Sequence, residues 1–207
     1  VGHSLASAYV RSGTLRAFAS RFEGNTWNDV TLFKSSDLTQ WQKTVVIEQE
    51  PTEHLFNTSV CEAPEGFVMA YETDDPSYPA FSIKFARSND LETWTKIPEL
   101  VFGKDRYTAC PCIRYANGYY YLLYLEHRTP RWFFETYIAR SKDLQKWELS
   151  RANPVLTPRD IDDGINASDP ELVELAGKTY IYYSVGDQRT WMNLKRALFP
   201  GPLSQFL

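Results

Sequence analysis

Charged and aromatic side chains follow three aromatic-rich runs of the sequence, at the points where those runs end. Carboxylates and guanidinium groups hydrogen-bond sugar hydroxyls, and Trp and Tyr rings stack on the apolar faces of a pyranose. This mixture of residue types therefore predicts a carbohydrate site. The residues are Glu72 and Asp74 after the first run, Glu126, His127, Arg128, Arg131 and Trp132 after the second, and Arg189 after the third.

A second polar set lies in the loops and strand starts that lead into the next runs. If the first strand of each repeat starts at the ligand face, the loops after the aromatic-rich second strands lie on that face too. Both sets of residues then share one face. Plainer interpretations stay open, because Glu126 to Arg128 also fits a solvated loop with a local ion pair, and Asp162-Asp163 also fits a turn before Gly164. The residues of the second set are His54, Asn57, Tyr107 and Asp163.

A pattern that occurs three times, S-x-D-L-x-x-W, indicates the elements that must position these side chains. Its aspartates are Asp37, Asp90 and Asp143, which are 53 residues apart in each step. A fixed period near 50 residues indicates a repeat architecture. We expect the Asp to accept N–H groups of its own turn, the Leu to tuck beneath that turn, and the Trp to pack on the neighbouring repeat. These residues are therefore predicted to be structural.

Each repeat shows the same order of a strand, a glycine turn, an aromatic-rich strand and a third strand before the S-x-D-L-x-x-W turn. Glycine supplies the positive φ of tight hairpins, and four antiparallel strands per repeat make one propeller blade. We therefore predict an all-β fold, a β-propeller of four-stranded antiparallel blades, with almost no helix. The turn glycines are Gly13, Gly66, Gly118 and Gly177.

The repeat also predicts the domain organisation. The chain reads as a single propeller domain, and its fourth repeat ends before a fourth strand, after the turn "FPGPLSQF". We therefore expect a longer parent protein of the five-bladed type. The predicted blades are residues 1–50, 51–103, 104–160 and 161–207.

Composition narrows the classes of partner. The 207 residues are 43% hydrophobic and carry a formal net charge of −4. That supply of apolar residues suffices for a core, and no basic stripe favours nucleic acid. No apolar run approaches the ~18 residues of a membrane span, and no signal peptide is recognisable. Secreted, periplasmic and cytoplasmic locations all stay open, as does the oligomeric state.

The three cysteines predict neither a disulfide framework nor a metal site. Their number is odd, and no CxxC or histidine pair lies near the C-x-C formed by Cys110 and Cys112. Because alternate residues of a strand face the same side, we expect these two, with Cys61, to be buried structural thiols. No metal and no cofactor is predicted.

The repeated turn, the strands "GYYYLLY" and "GKTYIYYS", and a "DP" at a blade start together resemble the five-bladed propeller glycoside hydrolases of families 43, 32, 62 and 130. The resemblance covers essentially the whole chain. It implies a glycosidase that acts on an oligo- or polysaccharide through paired carboxylates, one donating a proton to the leaving oxygen and the other activating water or attacking carbon.

The resemblance also implies catalytic residues. An alignment of the blades on their turn glycines matches Asp169-Pro170 with Cys110-Pro111 and with Thr58-Ser59, so Asp169 corresponds to the aspartate of the family's "DP". Glu126 is the candidate acid. The family's Glu-x-Pro motif has no clear match, because Glu62 lies too close to Gly66, near the turn.

Two other functions stay open beside the glycosidase. The unmatched Glu-x-Pro motif favours a non-catalytic carbohydrate-binding propeller with the same pocket but no competent acid and base. A protein-interaction propeller is a third interpretation, although the polar residues gather in loops expected on one face. Fold alone does not decide between these functions, because propellers host many of them.

Overall fold

The computed structural model describes residues 2–128, 130 and 133–206, which form two compact units, Val1–Arg106 and Tyr107–Leu207. Arg131 and Trp132 lie outside the described residues, and of Arg128 only the backbone is described. Apart from two single-turn 3-10 helices, the regular structure is β, as the sequence predicted. Among the described residues, no helix is long and apolar enough to cross a bilayer.

The first unit contains two antiparallel sheets, each of four strands that pair in chain order. Phe18 and Leu32 of the first sheet pack with Met69 and Tyr71 of the second in one buried cluster. The two sheets therefore have the organisation predicted for blades. Their strands are β1 (Gly2–Arg11), β2 (Thr14–Glu23), β3 (Thr26–Ser35) and β4 (Gln42–Ile47), then β5 (Leu55–Ala63), β6 (Gly66–Thr73), β7 (Ser82–Ser88) and β8 (Thr95–Phe102).

The second unit contains one sheet of seven strands. It joins two blade-like groups through a single parallel pair, Phe134 with Asn166. Among the described residues the second group has three strands, as predicted, and the "FPGPLSQF" segment turns into a 3-10 helix whose Leu203 is buried. Its strands are β9 (Ala109–Ala116), β10 (Tyr119–Arg128), β11 (Phe133–Ser141) and β12 (Glu148–Leu149), then β13 (Asn166–Leu175), β14 (Lys178–Gly186) and β15 (Met192–Phe199).

The S-x-D-L-x-x-W turns are closed by their own side chains. Oδ1 of Asp37 accepts the N–H groups of Thr39 and Gln40 at 2.9 and 2.8 Å. Asp90 and Asp143 accept the equivalent pairs of N–H groups. The backbone N–H groups of Gln40 and Thr39 lower the pKa of Asp37 to about 2, because they stabilise its ionised form. The structural interpretation of these aspartates is confirmed.

The leucines of the three turns differ in burial. Leu91 and Leu144 are each 1% exposed, and the Trp94 ring meets Phe18 of the preceding sheet edge-on at 5.7 Å. The first copy differs, since Leu38 is 64% exposed and Trp41 is 44% exposed. The expectation of a tucked leucine is therefore wrong for this copy, because the first sheet has no preceding sheet among the described residues.

This contrast supplies a matched test of packing. Leu91→Ala is expected to lower the free energy of unfolding by about 2–5 kcal/mol, because it empties a buried site. Leu38→Ala is expected to change it by less than about 0.5 kcal/mol. Both leucines have a positive φ, 68° and 63°, so the backbone contribution is the same. Urea unfolding of both variants measures the difference, and equal losses would contradict the packing argument.

Candidate functional site

A β-bulge interrupts the first strand of every blade near its start. Such bulges re-aim side chains and are frequent beside functional sites. The bulge places Asp169-Pro170 in register with Cys110-Pro111, as the sequence alignment had it. The match to Thr58-Ser59 is wrong, because the bulge of β5 lies at Phe56-Asn57. The alignment is two residues out for two reasons. Gly66 is the first residue of β6 and pairs with Ala63, whereas the other turn glycines lie within the loop. The segment of β5 between bulge and turn is also one residue longer than in the other blades.

Asp169 is exposed on the bulge of β13, and its Oδ2 accepts a 2.6 Å hydrogen bond from the Ser168 hydroxyl. Its φ of 50° is shared by Leu5 (55°) and Cys110 (49°) in two other bulges. The unusual backbone therefore belongs to the repeat, and the carboxylate is what distinguishes this position. The catalytic role of Asp169 stays a prediction.

The cysteines do not behave alike. Cys61 and Cys112 are 3% and 0% exposed, and burial raises the pKa of the Cys112 thiol to about 11. Cys110 is only half-buried, so its predicted burial is wrong. The bulge at Cys110-Pro111 breaks the alternation on which that prediction depended. None of the three cysteines forms a disulfide, and the described part of the chain holds no group of three His, Cys, Asp or Glu side chains suited to a metal.

Two buried carboxyl groups face each other near the end of β10. Glu126 and Glu135 are each 2% exposed and stand directly opposite one another on β10 and β11. In this arrangement the two Cβ atoms are typically about 4.5–5.5 Å apart. The Tyr124 hydroxyl donates to Glu126 at 3.1 Å, and the Thr157 hydroxyl donates to Glu135 at 2.5 Å. The second unit thus contains a pair of adjacent carboxyl groups.

Sequence reasoning identified only one member of this pair. Glu126 is a candidate because it lies among polar residues after an aromatic-rich strand, whereas Glu135 falls in the predicted third strand "ETYIARS". The available signal was an acid within a run of aromatic and β-branched residues. An acid at such a position is buried with the strand, and buried acids are rare unless paired or functional.

His127 and Tyr107 meet on the other face of β10, because successive side chains of a strand alternate. The His127 ring stacks on Phe134 with centroids 4.6 Å apart. The Tyr107 ring meets His127 and Phe134 at 6.1 and 6.2 Å. The structure therefore brings together two of the predicted substrate-binding residues, but it separates both from the Glu126 side chain.

Asp163 lies in the 3-10 helix Ile161–Asp163 and is 5% exposed. Its carboxylate accepts the N–H of Arg159 at 2.9 Å and forms an ion pair with Lys195. Burial opposes ionisation, but the hydrogen bonds from Lys195 and from the backbone outweigh it and lower the pKa of Asp163. These contacts fit the turn interpretation, and contact between Asp163 and a sugar stays a prediction.

Arg189 lies in the turn between β14 and β15 and lines a cavity of about 300 Å³. The backbone N–H of Arg189 donates to Asp187 Oδ1 at 2.9 Å. Gln188 Nε2 donates to Asn166 Oδ1 at 2.6 Å, which fixes this turn to the start of β13. The end of one hairpin and the start of its inner strand therefore share an edge, as the sequence analysis supposed.

The four predicted residues of the first unit form two hydrogen-bonded pairs. The backbone N–H and the ring Nδ1 of His54 both contact the Asp74 carboxylate, at 2.6 and 2.7 Å. Asn57 Nδ2 donates to Glu72 Oε2 at 2.8 Å, and Glu72 is 5% exposed. Each pair joins the start of β5 or its preceding loop to the end of β6 or its following loop.

Sequence reasoning missed a buried ion cluster beside these pairs. Lys84 Nζ lies 2.6 Å from Glu53 and 2.8 Å from Asp75, and Glu53 is 3% exposed. The Thr73 hydroxyl donates to the same Glu53 oxygen at 2.9 Å. Burial opposes both charges, but the hydrogen bonds between them raise the pKa of Lys84 and lower that of Asp75. Glu53 and Lys84 are distant in the chain, so no local pattern signalled the contact.

No protein-family model and no curated protein matches the sequence. Solved structures do match. One titled "Glycoside hydrolase" has a TM-score of 0.75 and 16% identity over 94% of this chain and 65% of its own. A thermostable family-43 glycoside hydrolase has a TM-score of 0.71 and 16% identity over 98% of this chain and 70% of its own. The GH32 beta-fructofuranosidase BmSUC1 of Bombyx mori has a TM-score of 0.69 and 22% identity over 95% of this chain and 45% of its own.

These matches show that the chain has the fold of the propeller glycoside hydrolases, as the sequence resemblance implied. The chain spans 65% of the length of the first of these structures. The fold class predicted from the 53-residue repeat is therefore confirmed. Identities of this size establish the fold alone, so the activity has to be argued from the residues.

Proposed function

We propose that this protein is a glycoside hydrolase that cleaves an oligo- or polysaccharide through paired carboxyl groups. The observation that carries the proposal is its fold, which it shares over most of its length with glycosidases of families 43 and 32. Glycosidases of most families use two Asp or Glu side chains that flank the scissile bond. The carboxyl groups of this chain therefore supply the chemical argument.

Glu126 and Glu135 support the proposal in the second unit, because they are adjacent, buried and held by hydroxyl groups. Glycoside hydrolysis needs one carboxyl group to protonate the leaving oxygen and a second to attack carbon or activate water. Asp169, exposed on its bulge, is the candidate for a second, solvent-facing carboxylate. We assign Glu126 as the acid and retain Asp169 and Glu135 as alternative partners.

The residues proposed to bind the carbohydrate combine polar and aromatic groups. Those of the predicted substrate-binding residues that are exposed or half-buried have side chains accessible to a sugar, which supports hydrogen-bonding roles for them. Tyr107 and the neighbouring Phe134 add half-buried rings that suit the apolar face of a sugar. Sugar contacts by Arg128, Arg131 and Trp132 stay predictions from the sequence.

The test is hydrolysis of an oligosaccharide panel that includes furanosides, pyranosides and sucrose. Asp169→Asn is expected to lower kcat by about 10²–10⁴-fold, because an amide neither attacks nor accepts a proton as a carboxylate does. The melting temperature should stay close to that of the unchanged protein, since Asp169 is exposed. Glu171→Gln, an exposed acid of the same strand, is the control that should keep its activity.

Three outcomes separate the functions. Sugar release that Asp169→Asn abolishes places this carboxylate in the reaction. Sugar release unaffected by the variant retains the enzyme and removes Asp169 from the site. A protein that binds one of the sugars but cleaves none favours the non-catalytic carbohydrate-binding propeller.

A further inference from the structure

His54 has the contacts of a side chain held ready for a ligand. Its backbone N–H and its ring Nδ1 both contact Asp74, so one carboxylate fixes the ring orientation. A carboxylate only accepts hydrogen bonds, so Nδ1 carries the proton, and in the neutral ring Nε2 is then an acceptor.

The second ring nitrogen of His54 is not engaged by the part of the chain that the structure describes. Within the described ranges, Nε2 of His54 makes no hydrogen bond. The His54 and Asp74 side chains are 38% and 35% exposed, so solvent or a ligand has access to the pair. His3 is different, because its Nε2 is already 3.2 Å from the Thr31 hydroxyl.

Aromatic rings lie beside this pair. The ring of Phe56 is 6.4 Å from His54, 5.2 Å from Phe81 and 6.2 Å from Trp27. All three aromatic side chains are half-buried, so part of each ring remains accessible. A polar acceptor beside apolar rings is the combination that recognises a sugar, whose hydroxyls lie at the rim of an apolar face.

The charges around His54 select an uncharged sugar. Glu53, Glu72 and Asp74 are the acids that lie next to it in the sequence or through contacts of β5 and β6. The neighbouring cation, Lys84, is engaged by Glu53 and Asp75. Like charges repel, so an acidic sugar is disfavoured at this place.

We propose that Nε2 of His54 accepts a hydrogen bond from a hydroxyl group of an uncharged sugar ring, with Asp74 as the positioning residue that holds the ring and its tautomer. The inference rests on the proposed function and deepens it, because it names the binding atom, the positioning group and the class of sugar. Phe56 and Trp27 provide the apolar surface next to the bound ring.

The experiment is ¹⁵N NMR of the histidine rings in the whole protein, which contains three histidines. Ring ¹⁵N shifts report which nitrogen carries the proton, and His54→Gln assigns the signals. Sucrose, L-arabinose and D-xylose are added as probes, and tryptophan fluorescence measures their binding in parallel. The Nε2 shift of His54 should move with the sugar that binds, while His3 stays unchanged.

Two variants separate binding from structure. His54→Gln should weaken binding of that sugar by about 3- to 10-fold, the value of one ordinary hydrogen bond. Asp74→Asn should shift the ring ¹⁵N signals of His54 without sugar, because the group that orients Nδ1 is altered. Normal melting temperatures in both variants exclude loss of the fold as the cause.

The outcomes distinguish this inference from the proposed function. A sugar that binds or is hydrolysed while the His54 signals stay fixed overturns the inference and leaves the glycosidase. A wild-type ring whose proton lies on Nε2 overturns the role of Asp74. Absence of both hydrolysis and binding overturns the proposed function and this inference together.

Discussion

Glu126→Gln is expected to lower kcat on the cleaved substrate by about 10²–10⁴-fold, the usual contribution of a general acid or base. Glutamine matches the shape of glutamate and can still accept the hydrogen bond from the Tyr124 hydroxyl. It cannot donate an acidic proton to a leaving oxygen. The loss should therefore appear in kcat, with the fold intact, and steady-state hydrolysis with circular dichroism measures both.

The control for this variant is Glu148→Gln. Glu148 is an exposed acid that pairs with Arg140, toward the far end of β11 from Glu135. Its removal should leave hydrolysis unchanged. Glu135→Gln tests whether the two acids act as a unit, in which case the double variant loses little more than either single one. Full activity in Glu126→Gln would show that the acid is another residue.

Lys84→Met is expected to lower the free energy of unfolding by about 3–5 kcal/mol, because it leaves the buried Glu53 carboxylate without its cation. The Lys84 and Glu53 side chains are 13% and 2% exposed, so water cannot replace the lost contact. Oε1 of Glu53 already lacks a hydrogen-bond partner among the described residues. Removal of Lys84 therefore takes a further partner from a carboxylate that already has one oxygen without a hydrogen bond among the described residues. Urea unfolding monitored by tryptophan fluorescence measures the change.

Lys34→Met is the matched control for this substitution. Lys34 Nζ lies 2.7 Å from Glu92, but these side chains are 29% and 46% exposed. Exposed ion pairs contribute about 0–1 kcal/mol, so this variant should be nearly as stable as the unchanged protein. A similar loss in the two lysine variants would mean that burial is not what makes the Lys84 cluster important.

The same cluster predicts how stability depends on pH. The pKa of Asp75 is lowered on folding, so its contribution is present above the ordinary value of 3.8 and is lost as pH falls through the folded pKa. The pKa of Lys84 is raised, so its contribution is present below 10.5 and is lost as pH rises through the folded pKa. Urea midpoints across both ranges should fall at each end, and Lys84→Met should flatten both limbs. Unchanged limbs in the variant would assign the pH dependence to other groups.

The fold could be predicted because its signals are local. In each S-x-D-L-x-x-W turn, the Asp accepts N–H groups only two and three residues ahead, so the pattern of letters specifies the geometry. The 53-residue period then predicts about four blades in this chain. Exposure of Leu38 could not be foreseen from the same letters, because its burial depends on a separate sheet rather than on the turn.

The site was predicted less completely because its contacts are set by strand register. Glu135 faces Glu126 only when β10 and β11 pair as they do. Lys84 on β7 meets Glu53, which precedes β5, through the pairing of both strands with β6. His54 and Asp74 were each predicted to bind the substrate, but the contact between them was not predicted. Polarity of a loop indicates candidate residues, and register decides which of them become partners.

Strand β15 is the last strand of its sheet, and its outer edge pairs with no described strand. Met192, Leu194 and Leu198 on one face are 66%, 73% and 53% exposed. An open aliphatic edge is a template for a strand from another molecule, and cations on it discourage such pairing. Arg196 lies on that face between two of the leucines, over the Tyr180 ring. The unpaired edge of β15 can therefore accept a further strand, whose side chains would meet Arg196 among the leucines of this face.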